Sequence, residues 1–361
     1  MNLLIIAPNI DPPWTEGRKK LVSDLAQHLQ KHFAVRMLTT GIKKGEITSP
    51  CLGYCVGAQW KWKQLIALCR AIDKAITEWS PDVVLHFPFG TFDGLRGIAN
   101  MRSIRCIDRK CAKRKLRCLT ILYSITTISL KRLKHDVHEP VIASRKDWKG
   151  LTITMGVDLT DSLYLSPQLS GKPTVLFMAG IQERKKRALQ YVLKERGLED
   201  IVKAGPKLAM AGVRIIVAIP FLHDLKLRSQ LRRYFIRNCP NIELDLRSDI
   251  LVPQIFREAD LFLFPYRVEL TQFVPTSILE GMAAGVPVVL SDLEMLSEFA
   301  NYGRTAYTFR PGDYKDLGDV AVAALGNKIE RRRIALAARE YALKEWSLDK
   351  TVDDLIEILY Q

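Results

Sequence analysis

The residues whose types and spacing most favour chemistry lie between Phe264 and Asp292. A buried strand ends there at Pro265, and a loop leads into a helix whose first turn runs from Ser277 to Glu280. An exposed helix start directs unpaired N–H groups and the positive end of the helix dipole outward, which suits a diphosphate. Ser277 and Glu280 also have the spacing of a capping box, which would explain Glu280 without a ligand.

Cations near the end of another predicted strand are also suited to a phosphorylated ligand. Arg184 and Lys186 follow the strand predicted over residues 174–179. The simpler interpretation is a solvated basic run over residues 184–187.

Two residues near predicted strands of the amino-terminal half have both a functional and a structural interpretation. Gly17 precedes an amphipathic helix, where a glycine either lets the backbone approach a ligand closely or simply forms a turn. His86 lies in the strand predicted over residues 83–87, where its imidazole could hydrogen-bond a ligand. A lone histidine at a strand end is more often structural.

The cysteines and histidines do not form a recognisable metal site. Seven cysteines without a Cys-x-x-Cys pair predict reduced thiols rather than a disulfide framework or a zinc ribbon. Cys106, Cys111 and Cys118 match no common zinc spacing, and His135 and His138 have no third ligand in view. We therefore predict no bound metal.

Positive charge is concentrated in one window. Lysine and arginine outnumber the acids by 54 to 39, a formal charge of +15, and eleven of these cations lie between Arg102 and Lys134 beside one acid, Asp108. The window fits a solvated face, an anionic membrane surface or nucleic acid. No aromatic residue lies between Arg102 and Cys118, which disfavours a single-strand binder. We expect an anionic membrane surface as partner and no nucleic acid.

Length and composition predict a folded protein with a large core. The chain has 361 residues, of which 48% are apolar, enough for one or two domains. The longest charge-free, mostly apolar stretch, residues 118–130, is too short to span a membrane. The amino terminus does not resemble a signal peptide. We therefore expect a cytoplasmic protein.

Short apolar runs alternate with amphipathic stretches along the whole chain, which predicts parallel sheets covered by helices on both faces. A first series has predicted strands at residues 3–7, 33–38, 83–87, 118–123, 141–144 and 151–154. A second series has them at residues 174–179, 213–219, 261–264 and 286–290. The polar stretch 166–173 separates the two series. The pattern predicts two doubly wound, Rossmann-like α/β domains that face each other across a cleft.

The stretch from Phe264 to Asp292 resembles the signature of the family-4 retaining glycosyltransferases of the GT-B fold. Four further segments resemble the same family in the same order. They are Pro12-Pro13 with Glu16-Gly17, Met155-Gly156-Val157-Asp158, Phe177-Met178-Ala179-Gly180 with Arg184, Lys185 and Lys186, and Pro311-Gly312-Asp313. The chain is thereby identified as a divergent member of the family over nearly its whole length.

The resemblance implies transfer of a sugar from a nucleotide-diphosphate sugar to a hydroxyl acceptor, with retained anomeric configuration and without a cofactor. It implies an amino-terminal acceptor-side domain over residues 1–168 and a nucleotide-sugar donor domain over residues 169–345. A carboxyl-terminal helix over residues 346–361 would pack back on the first domain. The basic window extends this expectation to a glycan or lipid-linked acceptor in cell-envelope assembly, used at the inner face of the membrane.

The resemblance also implies roles for individual residues. Glu280 would bind the ribose hydroxyls, and the backbone amides of Thr276, Ser277 and Ile278 would meet the diphosphate. Lys186, assisted by Arg184, would neutralise the leaving group. Gly17 and Gly180 would let the backbone approach the donor, while His86 and Gln272 would contact the sugar or acceptor.

The chain departs from the family pattern at several of these positions. Gln272 stands where the family has its first motif glutamate, and a glutamine cannot act as a carboxylate. Ile181 replaces a phosphate-binding arginine, Glu294-Met295 replaces a Gly-Gly pair, and Glu16 replaces a glycine. These departures motivate an alternative hypothesis, a catalytically impaired scaffold that binds a nucleotide sugar or a membrane. A GT-B sugar-nucleotide epimerase fits the motifs less well.

Overall fold

The structure, a computed structural model, divides into two compact units. One comprises Met1–Asp158 and Trp346–Gln361, and the other comprises Leu159–Leu270 and Pro275–Glu345. The structure describes residues 1–7, 10, 17–41, 45–48, 51–57, 61–88, 94–122, 141–143, 151–160, 171–180, 188–220, 222–247, 252–268 and 275–361. Within these ranges, no helix has the length and apolar character needed to cross a membrane.

The first unit is built on a seven-stranded sheet. Its strands are β1 (Asn2–Ala7), β2 (Ala34–Gly41), β3 (Gly45–Ile47), β4 (Gly53–Gly57), β5 (Val83–His86), β6 (Arg117–Leu122) and β7 (Val141–Ala143). Their order is β3-β4-β2-β1-β5-β6-β7, and all neighbours are parallel except β3 and β4. Helices α1 (Gly17–Leu29), α2 (Lys61–Trp79) and α3 (Gly94–Lys113) connect the strands.

The apolar pattern of the sequence explains the centre of this unit. Residues 3–7 of β1 are all buried, as a central parallel strand covered on both faces requires. Helix α1 buries Val22, Leu25 and Leu29, which recur at helical spacing. The predicted strand and helix at the amino terminus are thus both present.

The second unit has a six-stranded, wholly parallel sheet. Its strands are β8 (Thr174–Met178), β9 (Arg214–Ala218), β10 (Ile242–Asp245), β11 (Leu261–Phe264), β12 (Val288–Ser291) and β13 (Tyr307–Phe309), in the order β10-β9-β8-β11-β12-β13. The longer helices are α5 (Leu198–Met210), α6 (Leu225–Asn238), α8 (Thr276–Ala283), α10 (Tyr314–Gly326) and α11 (Lys328–Glu345), and the short ones are α4 (Ala188–Gln190), α7 (Val252–Phe256) and α9 (Ser297–Ala300). The predicted fold class of two parallel-sheet α/β units is confirmed.

The last helix, α12 (Leu348–Tyr360), belongs to the first unit. Ser347 caps its start by accepting a hydrogen bond from the Lys350 N–H. At its other end, Arg117 of β6 donates to the carbonyls of Leu359 and Ile358 at 3.3 and 3.1 Å. A cation at a helix carboxyl end satisfies unpaired carbonyls and favours the helix dipole.

The strand predicted over residues 151–154 is wrong. Residues 151–154 form no strand, and within them only Thr152 makes an isolated β-bridge. Instead, the Thr154 carbonyl accepts a hydrogen bond from the Thr351 hydroxyl at 2.8 Å, and the Gly156 N–H donates to the same hydroxyl at 2.8 Å. The apolar residues of this segment are buried because it packs against the start of α12, which the periodicity could not distinguish from sheet pairing.

Candidate functional site

The start of α8 is the predicted diphosphate site. The helix begins at Thr276 after Pro275, whose backbone is extended and whose side chain provides no cap. The Ile278 N–H donates to the Pro275 carbonyl at 3.0 Å. The N–H groups of Thr276 and Ser277 donate to no atom of the residues that the structure describes. Two backbone donors at the positive end of a helix dipole are therefore available to an anion.

The capping-box interpretation of this helix is wrong. Ser277 is the second residue of α8 and not its cap, because the chain is already helical at Thr276. Glu280 follows one turn later on the same face as Ser277, and both side chains are partly exposed. The structural explanation for Glu280 that rested on the cap is thereby removed. Ile278, by contrast, is fully buried, so it belongs to the core.

The other end of α8 is fixed by a glycine turn. Gly285 has φ +75°, and its N–H and that of Val286 donate to the Met282 and Gly281 carbonyls, each at 3.0 Å. This is a Schellman motif, which satisfies the last carbonyls of the helix. A Cβ on Gly281 would lie 3.0 Å from the ring of Phe256, so the glycine lets α8 pack closely. The helix start is therefore held on a rigid element.

The remaining predicted donor residues are only partly described. Gly180 follows β8, which pairs with β11, and a Cβ added to it would meet no described atom within 4 Å. Gly17 is the first residue of α1. Lys186, Arg184 and Gln272 lie outside the described residues. Their roles stay predictions.

His86 ends β5 in the middle of the first unit's sheet. Its backbone is in register with Ile6 of β1 and Thr120 of β6. The side chain is 1% exposed, and its Nδ1 atom has no hydrogen-bond partner among the described residues. Burial lowers the pKa of His86 to about 3, so the imidazole is neutral at physiological pH. It can donate or accept a hydrogen bond but carries no charge.

A buried ion pair beside β11 was not foreseen from the sequence. Arg267 donates from Nε to Asp200 Oδ2 at 2.7 Å and from Nη2 to the other oxygen of Asp200, and from Nη1 to Glu199 at 3.1 Å. The backbone N–H of Arg267 donates to the Glu195 carbonyl at 2.9 Å. Asp200 is completely buried. These bonds attach the segment that leaves β11 to the first turn of α5.

Aromatic rings extend this attachment. Tyr266 stacks on Phe264 with ring centroids 3.9 Å apart, and the Arg196 guanidinium lies 4.8 Å from the Tyr266 ring and 5.2 Å from that of Tyr191. Gly197 has φ +70°, and a Cβ there would collide with the Pro265 carbonyl. An arginine just after a strand and an acidic pair at a helix start were the available sequence signals, but no spacing rule joins residues so far apart in the chain.

The basic window is partly neutralised inside the first unit. Lys110 and Arg114 both bond to Asp73 of α2, the arginine at 2.7 Å. Arg117 bonds to the end of α12, as described above. Lys131, Arg132 and Lys134 lie outside the described residues. Within the described ranges, no three His, Cys, Asp or Glu side chains cluster as metal ligands would.

Comparison with known proteins gives a family and a relative. Residues 172–327 match the family model described as Glycosyl transferases group 1. The phosphatidyl-myo-inositol mannosyltransferase of Mycobacterium leprae (strain TN) is 29% identical over 202 residues, which are 54% of this chain and 50% of the relative. The chain thus spans about half the length of the curated relative that it matches.

Solved structures resemble the chain over its whole length. Sucrose-phosphate synthase from Thermosynechococcus elongatus has a TM-score of 0.72 at 15% identity. The match covers 100% of this chain and 98% of the synthase chain. Anabaena HepE, solved in complex with UDP, has a TM-score of 0.72 at 13% identity and covers 100% of both chains. The comparisons confirm the GT-B glycosyltransferase part of the resemblance and do not test family 4: this chain has the fold of the GT-B glycosyltransferases, and its residues 172–327 match the model of the Glycosyl transferases group 1.

Proposed function

We propose that this chain is a glycosyltransferase of the family-4 type, which moves a sugar from a nucleoside-diphosphate sugar to a hydroxyl acceptor. The observation that carries the proposal is the start of α8, where the Thr276 and Ser277 amides are available and Glu280 lies one turn further on. This helix lies within the segment that matches the family model. The complex of the structurally similar HepE with UDP supports a nucleotide donor.

The proposed chemistry is stabilisation of a departing diphosphate. When the bond between sugar and diphosphate breaks, negative charge grows on the phosphate oxygens. Amides and a helix dipole fixed before the reaction stabilise that charge without reorganising. Lys186, with Arg184, would add positive charge from the segment after β8. We propose that these groups support hexosyl transfer without a metal ion.

The sugar would be oriented by neutral groups. A glutamine can hydrogen-bond a hydroxyl but cannot form a glycosyl ester as a carboxylate could. Gln272 would therefore only orient the sugar during a transfer with retained configuration. His86 would act in the same way, because its low pKa keeps the imidazole uncharged. Gly17 and Gly180 would leave room for the donor to approach the backbone.

The acceptor is proposed to be a glycan or lipid-linked molecule of cell-envelope assembly, used at the cytoplasmic face of a membrane. The name of the curated relative, a phosphatidyl-myo-inositol mannosyltransferase, supports an acceptor of this class. The strong positive charge of the chain favours work beside an anionic surface.

Nucleotide binding tests the proposal. A ligand that binds only the folded state stabilises it, by about 2.7 kcal/mol at a hundredfold excess over Kd. We expect one of UDP, GDP and ADP, with its sugar conjugates, to raise the melting temperature. Glu280→Gln should weaken that binding about tenfold, because hydrogen bonds to a charged group contribute ~1.5–3 kcal/mol. Glu340→Gln, an exposed glutamate of α11, is the matched control.

Three outcomes are distinguishable in this experiment. Stabilisation by a nucleotide, loss of binding in Glu280→Gln alone and turnover of the sugar conjugate would support the transferase. Stabilisation without turnover on any acceptor would favour the scaffold hypothesis, which Gln272 and Ile181 motivate. If no nucleotide stabilises the protein, or if Glu280→Gln binds as well as Glu340→Gln, the proposed site is wrong.

A further inference from the structure

Helix α6 carries an unusual charge for a helix packed on a sheet. Its sequence contains one lysine and four arginines and no acid. The only acid at its start is the N-cap Asp224, whose carboxylate accepts a hydrogen bond from the Leu227 N–H at 2.9 Å. This helix played no part in the motifs above or in the proposed donor site.

The inner face of α6 is explained by folding. Leu227, Leu231 and Phe235 are buried at a spacing of four residues and pack in the core of the second unit. Arg228 lies beside them and donates from Nη1 to the Leu222 carbonyl at 3.0 Å. Arg233 donates from Nε to the Ser229 carbonyl at 3.3 Å. Two cations of the helix therefore bond to backbone carbonyls.

The outer face carries charge that no described acid of the unit balances. Lys226, Arg232, Arg233 and Arg237 are exposed, and none forms an ion pair with a described residue. Acids on the neighbouring edge strand β10 are already bonded to other arginines, Glu243 to Arg214 at 2.7 Å and Asp245 to Arg247 at 2.7 Å. The outward charge of α6 is thus left for a partner outside the described residues of the unit.

Two large aliphatic side chains stand among these cations. Leu225 is 77% exposed and Ile236 is 74% exposed. They lie eleven residues apart, so they fall on one stripe of the helix, about 16 Å from each other, with Arg232 between them. No large hydrophobic residue is exposed on the described part of α3, residues 101–113, although that helix also carries exposed cations.

We propose that the outer face of α6 docks on an anionic lipid surface. The four cations would meet headgroup phosphates, and Leu225 and Ile236 would enter the interfacial region of the bilayer. The exposed aliphatic pair favours a lipid partner. A single-stranded nucleic acid is disfavoured, because α6 has no exposed aromatic ring on which a base could stack. Its one tyrosine, Tyr234, is half-buried against Phe235, with ring centroids 5.9 Å apart.

Vesicle flotation of the full chain tests this surface. The vesicles are phosphatidylcholine, with or without phosphatidylglycerol, at low and high salt. Arg232→Gln, Arg233→Gln and Arg237→Gln are combined in one variant, and Leu225→Ser and Ile236→Ser in a second. The control neutralises three exposed cations of α3 in the same way, Arg102→Gln, Arg109→Gln and Lys113→Gln. Thermal melts confirm that each variant is folded.

We expect wild type to float with anionic vesicles only, and to detach at high salt because exposed charge is screened. The affinity of the arginine variant for anionic vesicles should fall about tenfold or more, since each cation near an anionic leaflet strengthens the attraction. The serine variant should bind less tightly than wild type at low salt. The α3 control should float as wild type does, which would show that these cations of the basic window are not the membrane contact expected from the sequence.

Several results would overturn the proposal. They are equal flotation with neutral vesicles, unchanged binding of the α6 arginine variant, and loss of binding in the α3 control. Retention on polyaspartate or duplex DNA through the same arginines, without vesicle binding, would assign the face to an acidic macromolecule instead. The assay needs no donor or turnover, so its failure leaves the proposed transferase activity untouched.

Discussion

Helices α3 and α6 are both rich in cations, yet the structure uses their charges differently. On α3, Lys110 and the following Arg114 are held by Asp73 of the neighbouring helix α2. On α6, no cation forms an ion pair with a described residue: Arg228 and Arg233 donate to backbone carbonyls, and the outer cations are exposed. A count of charges along the sequence therefore does not separate structural cations from cations that await a ligand. Whether a cation is structural depends on whether an acid of the fold faces it.

Arg267 has the most buried ion-pair partner among the cations discussed, because Asp200 is completely buried. Replacing Arg267 by leucine would leave the buried Asp200 carboxylate without its bidentate partner, and such losses cost about 3–5 kcal/mol. We expect Arg267→Leu to lower the urea midpoint of the protein strongly. The double variant Arg267→Leu with Asp200→Leu should recover most of the loss, because no buried charge remains. A double variant as unstable as the single one would show that pairing is not the cause.

The degree of burial explains which strands could be predicted from the sequence. Central strands such as β1 and β11 were predicted within a residue or two, because both faces are buried and their residues are continuously apolar. Four strands were not predicted: β3, β10 and β13 lie at sheet edges, and β4 (Gly53–Gly57) lies inside the first sheet between glycines. Edge strands are short and half-solvated, so they carry little apolar signal.

The candidate site follows a similar division. The start of α8 was predicted at Ser277 and lies one residue earlier, at Thr276. The capping box was wrong because the backbone turns helical at Thr276, which side-chain spacing alone does not reveal. The Arg267 pairing depends on the sheet bringing β11 beside the start of α5, and no local pattern records that.

A weaker structural use of charge is found at Asp73. The hydrogen bond from Lys110, followed by that from Arg114, holds the pKa of this carboxyl below its ordinary value. Its folded pKa is depressed, so the stabilisation is present above about pH 4 and is lost as pH falls through the folded pKa. The side chain is 42% exposed, so solvent limits the effect to below about 1 kcal/mol.

We therefore expect Asp73→Asn to be slightly less stable than wild type at pH 7 and equally stable near pH 2–3. Urea unfolding at both pH values measures the difference. Glu78→Gln on the same helix is the control, because its ion pair with Lys74 is more exposed. A stability difference that persists at the acid pH would mean that Asp73 acts through packing and not through charge.

The smallest effect is expected on α6 itself, where two arginines of one helix should behave oppositely. Arg232 is exposed and lies four residues from the like charge of Arg228, so Arg232→Gln should raise stability by a few tenths of a kcal/mol at low salt and leave it unchanged at high salt. Arg228→Gln should lower it by about 1 kcal/mol, because the bond to the Leu222 carbonyl is lost. If both variants destabilise equally, the outer arginines have structural partners, and the contrast between α3 and α6 fails.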